Sequence, residues 1–394
     1  MKLPPPSDRT DALLARQRQK MARSAQTYVR GSTAKFYEWL SQDGRVLPEG
    51  PSVWICGDCH YGNLGPVANA KGDVAIQIRD LDQTVIGNPV HDLIRLTFSL
   101  ASAARGFDLP GVTTAHLVEQ AVDGYQAALA AHGVEGADKP PMIEGLLKSS
   151  KQRSWRHLAR ERIEDIEPAI PIGKRFWPLA KDEKNALAGL VASEPMRHLV
   201  TGLHSRPSDA KVEMVDAAYW VKGCSSLGLL RYAVLMEVGS GKRRELSLID
   251  VKEAVKARAP RNTDHSMPKD NGERVVEGAR NLAPYLGDRM RAGRVLDRAV
   301  FVRELLPQDL KLEIEALEAD EAITVARFLA GVVGRAHGRQ MSEEDRKAWA
   351  GELNRNRSKS LDAPSWLWSS VVDLMAVHEA AYLDYCRQFA KVAA

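Results

Sequence analysis

In the stretch CGDCHYGN, residues 56–63, four residues separate Asp58 from Asn63. At that spacing one turn can offer a carboxylate to an attacking hydroxyl and an amide oxygen to a magnesium ion. Asp80 closes a predicted strand seventeen positions after Asn63 and offers a second hard oxygen, the ligand chemistry Mg²⁺ prefers. Far along the chain, Lys252 ends a predicted strand in LSLIDVKEA, where an ammonium could pair with α- and β-phosphates. Glu277, on the next predicted helix, could orient it. GCSSLG runs from Gly223 to Gly228 with Ser225 and Ser226 inside, and could fold backbone N–H groups over phosphates. Each fragment alone has a plain alternative: a Gly-Asp turn, an exposed lysine, a helix-surface glutamate, a hairpin turn with two glycines. Their order and spacing together favour an ATP- and Mg²⁺-dependent transferase. Asp58 would take the hydroxyl proton, and Lys252 with metal held by Asn63 and Asp80 would neutralise phosphate charge.

The same octapeptide also spells Cys56-x-x-Cys59-His60, the form of a c-type haem attachment site or, without the histidine, of a thiol redox pair. Haem attachment belongs mostly to exported chains and needs a second axial ligand. Asp58 between the thiols disfavours a reactive thiolate. No second Cys-x-x-Cys completes a zinc site, because Cys224 and Cys386 stand apart. Two cysteines that merely pack are the simpler expectation.

The elements that must position these residues belong to an ordinary folded chain of 394 residues, 44% hydrophobic and 27% charged, long enough for a two-lobed enzyme. A net charge of +4 is too small and dispersed for a nucleic-acid-binding protein. The N-terminal MKLPPPSDRTDALLARQRQK lacks a signal-peptide core and no run is apolar enough to span a membrane, so a cytoplasmic protein is expected.

Helical spacing from Asp11 to Leu40 predicts two helices meeting at Arg30 and Gly31. PSVWICGD and DVAIQIRDLD read as strands forming a hairpin-like unit around GNLGPVANAKG, with Asp58, Asn63, Asp80 and Asp82 facing one pocket. A helix over NPVHDLIRLTFSLASAARG and a mainly helical stretch from Val112 to about Arg197 follow. The pattern changes near Asp209, and residues 212–258 read as three strands joined by two glycine-containing turns, GERVVEGARNLAPYL as a helix, DRAVFVREL as a strand, and the chain from Lys311 as helices. The segment 260–272 is the best candidate for a mobile loop.

These motifs resemble the protein-kinase-like superfamily, nearest to the aminoglycoside-phosphotransferase catalytic loop HGDxHxxN followed by DFD. More closely still, the chain resembles the bacterial domain of unknown function 2252 family. YVRGS, CGDCHYGNLG, RDLDQTVIGNPVHDLIRL, VKGCSSLGLLRY, DVKEA, RVVEGAR, FVRELLPQDLK and GRAHGRQ occur in that family's order. The resemblance implies Asp58 as base, Asn63 and Asp80 as metal ligands, Lys252 as phosphate lysine with Glu277 as its partner, and Asp92 as a structural acid anchoring the loop. The first loop histidine is Cys56 here, and DFD is DLD. The glycine loop and lysine follow the catalytic loop instead of preceding it, which implies circular permutation. The expected fold is α+β and two-lobed. Residues 1–205 start a helical lobe, 206–310 form a small antiparallel nucleotide-binding lobe, and 311–394 complete the helical lobe. The acceptor would be a small molecule or a protein. Nucleotidyl transfer, or nucleotide binding without turnover, are the alternatives.

Overall fold

The computed structural model describes residues 3–42, 46–106, 109–130, 139–153, 169–203, 205–224, 226–241, 244–309, 318–355, 357 and 362–389. The expected glycine-loop residue Ser225 lies outside them. In chain order the helices are α1 (Arg9–Met21), α2 (Ala25–Gly31), α3 (Thr33–Leu40), α4 (Val90–Gly106), α5 (Gly111–Ala130), α6 (Pro141–Lys151), α7 (Lys181–Val191), α8 (Glu194–Thr201), α9 (Asn271–Leu282), α10 (Pro284–Gly287), α11 (Ala319–Gly338), α12 (Glu343–Asn354) and α13 (Ser365–Phe389). The strands are β1 (Val53–Ile55), β2 (Leu64–Ala68), β3 (Val74–Ile78), β4 (Val85–Gly87), β5 (Phe176–Trp177), β6 (Val212–Trp220), β7 (Arg231–Val238), β8 (Glu245–Glu253), β9 (Met290–Val295) and β10 (Arg298–Leu305). The protein is thus a mixed α+β fold whose strands pair antiparallel.

One six-stranded sheet has the order β5-β6-β7-β8-β10-β9. Strand periodicity gives it two faces. Tyr232, Val234, Ile249, Val251, Val300 and Val302 point to one, where α7, α8 and Leu13 of α1 cover them. Arg9 of α1 fastens that layer, donating to Glu183 of α7 at 2.6 Å. The other face carries Ala233, Leu235 and Leu248, and in register with them Arg231, Asp250, Lys252 and Arg303. Residues 176–201 precede the boundary expected near 205, yet they pack on this sheet.

A larger core joins chain segments far apart in sequence: α2 to α5, the short strands β1 to β4, and α9 to α13. Helices α5 and α11 cross at backbone contact distance. A Cβ on Gly124 would stand 2.0 Å from the Arg327 carbonyl oxygen, so only glycine permits this approach.

Several expectations need correction. The first helical segment has a further break at 22–24 before α2 and α3 meet at Ser32. PSVWICGD and DVAIQIRDLD do not pair with each other. β1 pairs with β4, and β3 pairs with β2, which lies inside the segment read as turn. Strands β5 and β9 join the sheet unannounced by their sequences. Segment 260–272 lacks regular structure up to α9 but is pinned, since Asn262 N–H donates to Ile86 O at 2.8 Å and Asp270 caps α9.

Candidate active site

The loop after β1 is held from behind by its backbone. Gly57 has φ +75°, and a Cβ there would lie 2.2 Å from the Gln83 carbonyl oxygen, so this sharp turn requires glycine. Asp92, in the first turn of α4, accepts from Cys56 N–H at 2.6 Å and Gly57 N–H at 2.9 Å. His337 Nε2 lies 3.1 Å from the same carboxylate, and its Nδ1 lies 2.8 Å from the Tyr125 hydroxyl. Trp349 donates to that hydroxyl at 3.3 Å. This fully buried chain, drawn from α4, α11, α5 and α12, gives Asp92 the anchoring position the resemblance implies.

Asp58 projects forward from that turn. Its two carboxylate oxygens accept from Arg95 Nε at 2.9 Å and Thr33 Oγ1 at 2.8 Å. Arg95 is itself buried and donates to Val29 O at 2.6 Å, so α2, α3 and α4 together fix the carboxylate's direction. Asn63 closes the loop by donating its side-chain amide to Asp58 O at 2.9 Å. Its amide oxygen accepts no hydrogen bond among the described residues.

From the sheet, Lys252 reaches the turn that carries Asp80 and Asp82. It lies on β8 opposite Arg231 of β7 and Phe301 of β10, and is 3% exposed. Its ammonium contacts the Asp82 carboxylate directly and lies 3.5 Å from Asp80 Oδ1. Partial desolvation would raise the half-exposed Asp80 carboxyl, but Lys252, a hydrogen bond with Asp82, Arg303 and Arg231 outweigh it and hold the group well below the usual range. For Asp82, burial and the neighbouring Asp80 charge push upward, and Lys252 opposes them only in part. One carboxylate of the pair is therefore firmly ionised and the other retains its proton more readily. Beside them Asp250 is clamped by Arg231 at 2.6 Å and Arg303 at 3.1 Å, and burial there is outweighed so that its carboxyl too is held low.

His60, two residues after Asp58, feels the charges of both Asp58 and Asp80. Burial pushes its imidazole down to about 4 against the pull of Asp58 and Asp80, so it is neutral near pH 7. Its Nδ1 is buried without a hydrogen-bond partner. The thiols beside it are buried and free. A hydrogen bond with Cys59 and burial push the Cys56 thiol far above its ordinary value. Cys59 is raised as well: its hydrogen bond with Cys56 lowers it, but burial and the Asp92 and Asp58 charges together outweigh that bond. Both cysteines pack, as expected, and neither is poised as a nucleophile.

The structure thus brings Asp80 and Lys252 into contact, and sets Asp58 and Asn63 in one loop. It does not bring Glu277 to Lys252. The Glu277 carboxylate faces outward to Arg280 at 3.4 Å and Asn281 at 3.5 Å, on the side of α9 opposite the buried Val275 and Ala279. Lys252 pairs with Asp82 instead, and α9 meets the acidic loop through Arg274, which donates to the Asp82 and Val255 carbonyls. Gly223 and Gly228 have φ of +98° and +102°, as a tight glycine loop requires. The loop is tied to α1, for Lys20 donates to Gly223 O at 2.7 Å and Gln17 to Cys224 O at 2.9 Å. Ser226 is buried against Gly223. Sequence reasoning named no role for Arg95, Thr33, Asp82 or His60. Only Asp82, two residues after Asp80, carried a local signal.

No helix of the described residues is long and apolar enough to cross a membrane. No curated protein and no solved structure matches the chain. The family whose sequence profile matches residues 9–388 is described as an uncharacterized protein conserved in bacteria (DUF2252), and with nearly its whole length covered the chain belongs to that family.

Proposed function

We propose that the protein is an ATP- and Mg²⁺-dependent phosphotransferase of kinase-like, circularly permuted architecture acting on a small-molecule or protein acceptor. One observation carries the reading: Lys252, from the third strand of a hairpin series, meets Asp80 and Asp82 beside the Asp58–Asn63 loop. In kinases the phosphate lysine stands on the third strand after a glycine loop and precedes a helix. Here β6, the 223–228 loop, β7, β8 and α9 follow in that order.

The donor set fits magnesium. Asp80 is a 47% exposed carboxylate, the Asn63 amide oxygen is unengaged, and Asp82 Oδ1 is buried without a partner. No group of three or more His, Cys, Asp or Glu among the described residues could enclose a metal alone. Mg²⁺ at nucleotide sites uses one or two carboxylates, with phosphate and water completing its shell. When bound, the ion with ATP supplies charge neutralisation of the triphosphate. Asp80 and Asn63 would hold it. Lys252 offers its ammonium to phosphate oxygens and is held upright by Asp82. Asp58, aimed by Arg95 and Thr33, receives the acceptor's proton.

A second reading, nucleotide binding without turnover, is favoured by the double engagement of the Asp58 carboxylate with Arg95 and Thr33. Two measurements separate the two readings. Asp80→Ala abolishes the stabilisation Mg²⁺ adds to ATP, about 2.7 kcal/mol at ~100 times the dissociation constant. Asp58→Asn keeps that shift and slows transfer of label from γ-labelled ATP into cell-extract acceptors by roughly 10²- to 10⁴-fold. Unchanged transfer in Asp58→Asn rejects the catalytic role. Absence of any Mg²⁺-dependent ATP shift rejects the nucleotide site, and label entering from the α-position instead assigns nucleotidyl transfer.

A further inference from the structure

A cavity of about 490 Å³, lined by none of Asp58, Asn63, Asp80 and Lys252, lies where β1, β4, α9 and the end of α11 meet the 260–272 segment. Arg280, Arg339 and His265 line it, and no Asp or Glu does so among the described residues. Neither arginine is saturated. Arg280 has a single contact with Glu277 at 3.4 Å, both side chains about half exposed, and Arg339 donates to the Leu282 carbonyl at 3.2 Å. Trp54 also lines the cavity and is 8% exposed, yet its indole N–H has no hydrogen-bond partner among the described residues. Gln340, beside it, spends its amide on the Trp54 backbone, accepting from N–H at 2.8 Å and donating to C=O at 3.1 Å. The wall is therefore rich in unspent donors and positive charge, with an aromatic face for an organic body.

We propose that this cavity is a binding site for a small multivalent anion, a phosphate- or carboxylate-bearing metabolite. Two guanidinium groups would grip its charged end, and the indole N–H would supply a third donor. The position gives such a ligand purchase on both sides of the candidate active site. Trp54 lies two residues before Cys56, whose N–H is held by Asp92. Arg280 lies on the helix whose Arg274 holds the Asp82 carbonyl. The proposal stands whether or not the protein transfers phosphate.

Titration calorimetry of the full chain with sodium phosphate and, separately, with citrate tests it, with chloride holding ionic strength constant. Saturable binding of one equivalent of either probe is expected, phosphate alone indicating a phosphate-bearing ligand and citrate alone a polycarboxylate. Arg280→Gln and Arg339→Gln should each weaken it about tenfold or more. Trp54→Phe, which keeps a ring and removes the N–H, should also weaken it, and Lys252→Met should leave it unchanged. Arg280 is half exposed, so its substitution tests the site even where the Arg339 change disturbs folding. Two results overturn the proposal: no saturable binding of either probe, or binding lost in Lys252→Met and retained in Arg280→Gln.

Discussion

Asp92→Ala removes the centre of the chain that holds the 56–58 turn. Three contacts vanish at once, at 2.6, 2.9 and 3.1 Å, and each partner is buried. Two peptide N–H groups and the His337 imidazole are left to find other partners in a dry interior. An unsatisfied buried donor costs about 1–3 kcal/mol, so three give about 3–9 kcal/mol. Measured losses on removing one member of a buried charged pair cluster at about 3–5 kcal/mol, and we take ~4 kcal/mol as the expected loss. Asp92→Asn keeps one oxygen for one peptide N–H but turns an amide N–H₂ toward the other, so about half that loss is expected. Urea denaturation followed by tryptophan fluorescence measures both, and hydrogen exchange at the Gly57 amide locates the effect. A loss under about 1 kcal/mol for Asp92→Ala, or equal losses for the two variants, would show that the turn does not depend on this carboxylate.

Three further outcomes are expected. A cation arriving at the Asp80–Asp82 pair lowers the raised Asp82 carboxyl, so Mg²⁺-ATP binding should release a proton and tighten as pH rises toward neutrality. Calorimetry in buffers of different protonation enthalpy reads this, and proton uptake would contradict it. Gly124→Ala should destabilise by about 1–3 kcal/mol through overpacking against α11, more than the ~1 kcal/mol that alanine returns in helix propensity. A melting temperature unchanged or raised would refute the close crossing. Replacing both Cys56 and Cys59 by Ser should leave nucleotide binding intact, because the thiols only pack. Loss of a stoichiometric metal on that change would restore the redox or metal reading.

What the sequence disclosed followed from local pattern. β6, β7 and β8 are runs rich in apolar residues set between glycine-containing turns, and α4 opens after Pro89 and ends at Gly106, so both were legible. β2 was hidden because its sequence, LGPVA, contains the glycine and proline that mark turns; it survives as a short two-stranded pairing. β9, MRAGRV, sits at the sheet edge, where arginines and a glycine are tolerated but leave no strand signature. Asp58, Asn63, Asp80 and Lys252 were singled out by order and spacing, and the structure sets the first two in one loop and the last two in contact. Arg95 and His337 were not singled out, because their partners lie 37 and 245 residues away and nothing local announces such pairs. Glu277 was placed on the right helix and the wrong face. The 3.6-residue period that identified α9 puts position 277 opposite the stripe of Val275, Ala279 and Leu282.

The anchoring of the 56–58 turn also sets a schedule for synthesis. Asp58 leaves the ribosome early, but the imidazole and indole that complete the support of its loop are residues 337 and 349. At about 5–20 residues per second, translation takes roughly tens of seconds to cover that interval. Throughout it, the Asp92 carboxylate has its two peptide N–H partners but lacks the His337 imidazole. A nascent chain arrested before α11 should therefore carry the Asp58 loop without the histidine and indole that back it. The site is assembled only after the distal helices have been made.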